Sequence, residues 1–147
     1  MSLQEQLLNE LKAAMKAKDP IRINTIRMVR GQMKDLQIEK GEELSPDDEL
    51  AVLTSAAKKR KEAIAAYEQS GRDDLLAKEK QELDILSEFL PKQLSEAEIE
   101  EVVRKIIADV GASSMKDLGK VMKEAMGQLK GKAEGKVVQE IVRKKLS

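Results

Sequence analysis

The chain has 147 residues, 41% apolar and 37% charged, with one Phe, one Tyr, no Trp, no His and no Cys, and its 27 basic and 27 acidic side chains cancel. Without cysteine there is no disulfide, thiolate nucleophile or thiolate metal site, and without histidine the commonest metal ligand and the usual acid–base group near neutral pH are missing. Most hydrolase mechanisms are thereby excluded, no residue is assigned a catalytic or metal-binding role, and no cofactor is called for.

Apolar residues recur at three- and four-residue spacing from the start, which is the helical signature. Leu3, Leu7, Leu8, Leu11 and Met15 predict a first amphipathic helix that stops at Asp19-Pro20, because proline disfavours helical geometry in the residue before it. Ile23, Ile26, Val29, Met33 and Leu36 predict a second, ending near Gly41. Ser45-Pro46-Asp47-Asp48 then reads as an N-cap, a proline at the first helical position and acids in the first turn. The third helix runs through Leu50, Leu53, Ala57, Ile64 and Tyr67 to a break at Gly71, and a fourth carries Leu75, Leu76, Leu83, Leu86, Phe89 and Leu90 to Pro91.

After Pro91, Ser95 and Glu98 have capping-box spacing and open a fifth helix with apolar Ile99, Val102, Val103, Ile106, Ile107 and Val110 and a C-cap at Gly111. Ser114 and Asp117 repeat the spacing and start a sixth; a glycine-spaced loop leads to the seventh, "KVVQEIVRKKL". The fold class read from this pattern is all-α. An N-terminal four-helix body over residues 1–92 is followed by a small three-helix tail over 93–147. The opening "MSLQEQLLNELKAAMKAKD" is interrupted by acids with no cleavage site after it, and no apolar run approaches the length of a membrane span, about 18 residues. The expectation is a cytoplasmic chain with no membrane partner.

Charge is unevenly spread. Residues 1–90 carry 15 basic and 18 acidic side chains, net −3, while 91–147 carry 12 and 9, net +3; from Lys116 onward the count is 9 against 4, net +5. In "GASSMKDLGKVMKEAMGQLKGKAEGK" five glycines alternate with six lysines. At about 100° per residue, Met115, Leu118, Val121, Met122, Ala125, Met126 and Leu129 share one arc of the sixth helix, with Lys116, Lys120 and Lys123 nearly opposite. Lys130, Lys132 and Lys136 are interleaved with Gly127, Gly131 and Gly135 in a stretch read as a loop, where backbone could approach a ligand. The spacing does not match the glycine-lysine-serine pattern of nucleotide loops. Gly119, inside the helix, costs about 1 kcal/mol relative to alanine and is read as a site of close approach, first of a packed helix and alternatively of a ligand.

Other charged groups have plainer readings. "KKRK" at residues 58–61 and Arg22, Arg27 and Arg30 are taken first as solvated helix faces, with phosphate contact as the alternative, Arg143, Lys144 and Lys145 as complements to a helix dipole, and Asp73-Asp74 and Glu100-Glu101 as solvated carboxylates. The seven methionines are read as core packing.

"KKRKEAIAAYEQSGRDDLLAKEKQELDILSEFLPKQLSEAEIEEVV", "GASSMKDLGKVM" and "GKAEGKVVQEIVRKKL", together with "IRMVRGQMKDLQIEKG", resemble the GatB/YqeY family in its stand-alone YqeY-like form, from the second predicted helix to the C-terminus and without the first helix. The resemblance implies an all-helical protein in two parts, the second like the tail of the B subunit of the glutamine-dependent aspartyl/glutamyl-tRNA amidotransferase, which contacts tRNA. The catalytic parts of that enzyme have no counterpart in this sequence, so a family label of carbon–nitrogen ligase with glutamine as amido donor is read as inherited from the larger relative. Carried onto this chain, the tail likeness makes Lys116, Gly119, Lys120, Lys123, Lys130, Lys132 and Lys136 the expected RNA-binding surface, through phosphate contacts without base reading. The function expected is a non-catalytic tRNA-binding accessory protein. The alternative is a helical interaction module that docks on an amidotransferase or synthetase component near Gly119.

Overall fold

The computed structural model describes residues 1–147. The chain is all helical: α1 (Leu3–Ala17), α2 (Pro20–Lys40), α3 (Pro46–Ser70), α4 (Asp73–Ser87), α5 (Glu96–Val110), α6 (Leu118–Leu129), opened by a 3-10 turn at Met115–Asp117, and α7 (Gly135–Leu146). It divides into two compact units, Met1–Leu90 and Pro91–Ser147. No helix is long and apolar enough to cross a membrane.

In the first unit, buried Leu7 and Leu11 of α1, Ile26, Val29 and Met33 of α2, Leu53 and Ala56 of α3 and Leu86 of α4 form one core. Its helix ends follow local chemistry. Ser2 caps α1, Lys18 ends it in the left-handed region (φ 55°), and Asp19 accepts from the Arg22 N–H to cap α2, so Asp19 starts the next helix as well as following the last. Gly41 and Gly71 close α2 and α3 at φ 72°. The fourth helix stops at Ser87, short of Pro91. Amides of Glu88, Phe89 and Leu90 bond carbonyls three residues back, so the chain tightens into successive turns before the proline instead of continuing as α-helix.

Charge also stitches this unit. Arg22 of α2, read above as solvated, pairs with Glu10 of α1 at 2.9 Å and with Glu88 at 2.6 Å, and these partners hold its pKa above the ordinary arginine value. Arg60, inside "KKRK", turns toward α4 and lies 2.8 Å from Glu82 and 3.4 Å from Glu79. Burial and the neighbouring Glu82 push the Glu79 carboxyl up. Both arginines belong to the interior stitching of the unit, because their long side chains reach acids on neighbouring helices.

The second unit has a separate core: Ile99, Val103 and Ile106 of α5, Val121, Ala125 and Leu129 of α6, and Val138, Ile141, Val142 and Leu146 of α7. Capping boxes at Ser95/Glu98 and Ser114/Asp117 fix the starts of α5 and of the 3-10 turn. Of the methionines, Met33 is fully buried, whereas Met1, Met15 and Met115 are exposed, so core spacing overstated their burial.

Candidate nucleic-acid interface

The lysine-rich stretch spans four consecutive pieces of the second unit. Lys116 lies in the 3-10 turn, Gly119, Lys120 and Lys123 on α6, Lys130 and Lys132 in the connection, and Lys136 in the first turn of α7. All six lysines are exposed. Val121, Ala125 and Leu129 fill the buried arc of α6, which leaves Lys120 and Lys123 pointing away from the core. Gly127 lies inside the last turn of α6 and Gly135 is the first residue of α7, so the true connection is only Lys130–Glu134.

Glycine roles differ from expectation. A methyl group built at Gly119 or Gly127 would meet nothing within 4 Å, so neither exists to admit a neighbouring helix. Both leave bare backbone on the solvent side of α6. Gly131 is the conformationally demanding one, at φ 76°.

The connection is pinned from a direction that the motif did not disclose. The Leu94 N–H donates to the Lys132 carbonyl at 2.9 Å, and the Gln93 side-chain amide donates to the Gly131 carbonyl at 2.6 Å. Lys132 and Ala133 amides both bond the Leu129 carbonyl. Residues just before α5 thus hold the backbone from which Lys132 projects. Nothing in the local spacing of Gln93 and Leu94 signals this, since the contact spans 38 residues.

Electrostatics set the lysines apart from one another. Lys116, Lys123, Lys132 and Lys136 form no ion pair with a carboxylate. The Lys120 ammonium donates to the Val110 carbonyl at 3.4 Å, at the negative end of α5. Asp117, the acid nearest Lys120 in sequence, is turned back to accept from the Ser113 and Ser114 amides at 2.9 and 3.3 Å. Those amides, with Lys120 adding a smaller attraction, hold its carboxyl below the usual aspartate range. No group of three or more acids is placed to hold a metal ion. The arrangement offers positive charge and exposed backbone, with no aromatic ring in the second unit to stack a base.

The model of the Yqey-like protein family matches residues 4–146. The chain is 31% identical over 119 residues to "Altered inheritance of mitochondria protein 41, mitochondrial" of Vanderwaltozyma polyspora, covering 76% of this chain and 64% of that protein. The Saccharomyces cerevisiae protein of the same name is 29% identical over 130 residues, 86% of this chain and 70% of the relative. The E subunit of the glutamyl-tRNA(Gln) amidotransferase of Thermococcus sibiricus is 35% identical over 88 residues, 57% of this chain but only 14% of that much longer relative. With helices throughout and a family match that leaves out only three residues at the start and one at the end, the chain belongs to the Yqey-like protein family.

Proposed function

We propose that this chain is a non-catalytic accessory protein that binds RNA, tRNA in the first instance, through the lysine-bearing surface of residues 116–136. The observation that carries the reading is the set of exposed, carboxylate-free ammonium groups at Lys116, Lys123, Lys132 and Lys136, with Lys132 borne on a pinned connection. Lys120, bonded to the Val110 carbonyl, and Lys130 lie on the same stretch beside these four. Likeness to part of a tRNA-dependent amidotransferase component supports an amidotransferase context, and because that likeness spans 14% of the larger protein the proposal transfers tRNA contact and leaves the amide-transfer step behind. Phosphate contact through shape is favoured over base reading, because stacking platforms are missing. A cytoplasmic setting accompanies this reading; the yeast relatives are mitochondrial by name, and either compartment supplies tRNA.

Fluorescence anisotropy with labelled tRNA tests it. If about four lysines neutralise phosphates, the log–log salt slope is about −3 and affinity falls roughly fifty-fold between 50 and 200 mM salt. Lys116→Glu with Lys123→Glu and Lys132→Glu, in a chain whose circular dichroism is unchanged, should lower affinity by at least about tenfold and flatten the slope. Absence of binding at low salt, or binding indifferent to these reversals, overturns the proposal. Glutamine or ATP turnover by the purified chain overturns its non-catalytic part.

A further inference from the structure

The outward face of α2 in the first unit is built differently from the rest of that unit. Arg27, Arg30 and Lys34 lie on one arc of the helix with Pro20, Ile23, Gly31, Gln37 and Ile38, and that arc contains no carboxylate. None of the three cations forms an ion pair, in contrast to Arg22 and Arg60, which are both paired. Along this face runs a groove of about 910 Å³ lined by Arg27, Arg30, Gly31, Lys34, Gln37 and Ile38; Glu42 and Glu43 border it past the end of the helix, and on the α1 side Arg30 and Gln37 also adjoin Glu5 and Glu49, which leaves Arg27 and Lys34 as the cations farthest from any acid of the groove. At its α1 end Arg27 also borders a second depression with Met15, Lys18, Pro20 and Ile23.

Two features at this groove have no role inside the fold. Ile38 is 70% exposed and Met15 is 49% exposed, at opposite ends of the cationic stretch. Gly31 sits mid-helix, where glycine costs about 1 kcal/mol relative to alanine, yet a methyl group there would meet nothing within 4 Å. It therefore relieves no internal crowding, and what it leaves is a bare patch of helix backbone at the centre of the groove. Apolar ends about 22 Å apart, from Ile23 to Ile38 along α2, with unpaired cations between them, match a partner of about four helical turns.

From this geometry we infer that the α2 groove docks an acidic amphipathic helix of a partner protein. Its apolar residues seat against Ile23 and Met15 at one end and Ile38 at the other, its carboxylates face Arg27, Arg30 and Lys34, and its backbone approaches closely over Gly31. Charge complementarity selects the acidic helix, and the exposed apolar ends favour it over a nucleic-acid strand, whose phosphates offer nothing to cover them. The site lies in the first unit and stands independently of the RNA reading, which concerns residues 116–136.

The test uses the full chain, isotopically labelled, and a synthetic acidic peptide of about 18 residues that carries leucines about 15 positions apart and glutamates between them on one helical face. Amide shifts on titration should map to Arg27–Ile38. Arg27→Glu with Arg30→Glu, and separately Gly31→Leu, should each weaken binding on the order of tenfold. Gly31→Leu fills the groove while raising helix propensity, so its effect cannot be put down to unfolding. Reversal of Lys116, Lys123 and Lys132 should leave the peptide affinity unchanged, which separates failure here from failure of the RNA proposal. Equal binding of a shuffled peptide whose leucines and glutamates share no face, shifts confined to other helices, or displacement of the peptide by tRNA with the same α2 shifts would each overturn the inference.

Discussion

Glu49 shows how a single residue can do work that its neighbours in sequence do not reveal. It lies in the acidic first turn of α3, where a carboxylate is explained by the helix dipole alone. In the fold it is only 4% exposed, and its Oε2 accepts from the Gln4 N–H at 2.8 Å, so it caps the first turn of α1 from 45 residues away. Glu49→Ala should leave that amide without a partner and cost about 1–3 kcal/mol, read as a lower urea midpoint at unchanged slope. Glu49→Gln keeps an acceptor in place and should cost less. Equal effects of the two would show that the hydrogen bond contributes little. Arg22 and Arg60 teach the same lesson for cations: their sequence surroundings read as solvated, and their partners Glu88 and Glu82 come from α4 and the turn after it.

At the scale of elements, helix starts were the most legible feature. Ser45/Asp48, Ser95/Glu98 and Ser114/Asp117 all form reciprocal capping boxes. A box needs only residues three apart, so local spacing suffices to find it. Each carboxyl is held below its ordinary value: Glu98 by the Ser95 amide, Asp117 by the Ser113 and Ser114 amides, and Asp48 first by the Lys40 ammonium at 2.7 Å and then by Ser45. A carboxyl whose pKa is depressed on folding stabilises the fold above its unfolded value, here 4.5 for Glu98 and 3.8 for the aspartates, and that contribution drains away as pH falls through the lower folded value. Glu79, raised by burial, works in the opposite sense and offsets part of the loss. The melting temperature should therefore fall as pH drops from about 5 toward 3, and Glu98→Gln with Asp117→Asn should flatten that dependence. A slope unchanged in the double variant would mean that other carboxylates govern acid stability. The helix end at Ser87 was less legible. Proline marks where a helix can no longer continue, but the three residues before it had turns available that periodicity does not distinguish.

At the scale of the molecule, the two apolar cores share no residue. We propose that the two units also unfold separately, and the chain carries a convenient reporter: its only Tyr, Tyr67, is on α3 in the first unit. Leu129 is 1% exposed in the second core, and Leu129→Ala should remove about 2–5 kcal/mol there. The expected result is an earlier loss of part of the helical circular dichroism in urea, with the Tyr67 fluorescence midpoint unchanged. A joint shift of both signals would make the chain a single cooperative unit.

Periodicity, caps and breakers, all acting within a few residues, were enough for the sequence by itself to determine that the chain is helical from end to end and where most helices begin. The same local reading placed lysines on the outer arc of α6, because a helix sorts its faces by spacing alone. Only the tertiary structure decided which charges are free. Arg22, Arg60 and Glu49 found partners across the first unit, Gly119 proved to have open space where close packing was expected, and Gln93 and Leu94 fixed the connection that carries Lys132. Each of those outcomes depends on residues far apart in the chain, 38 positions for Gln93 and 66 for Arg22, or on the absence of a neighbour in space, and neither is written in the spacing of a single helix.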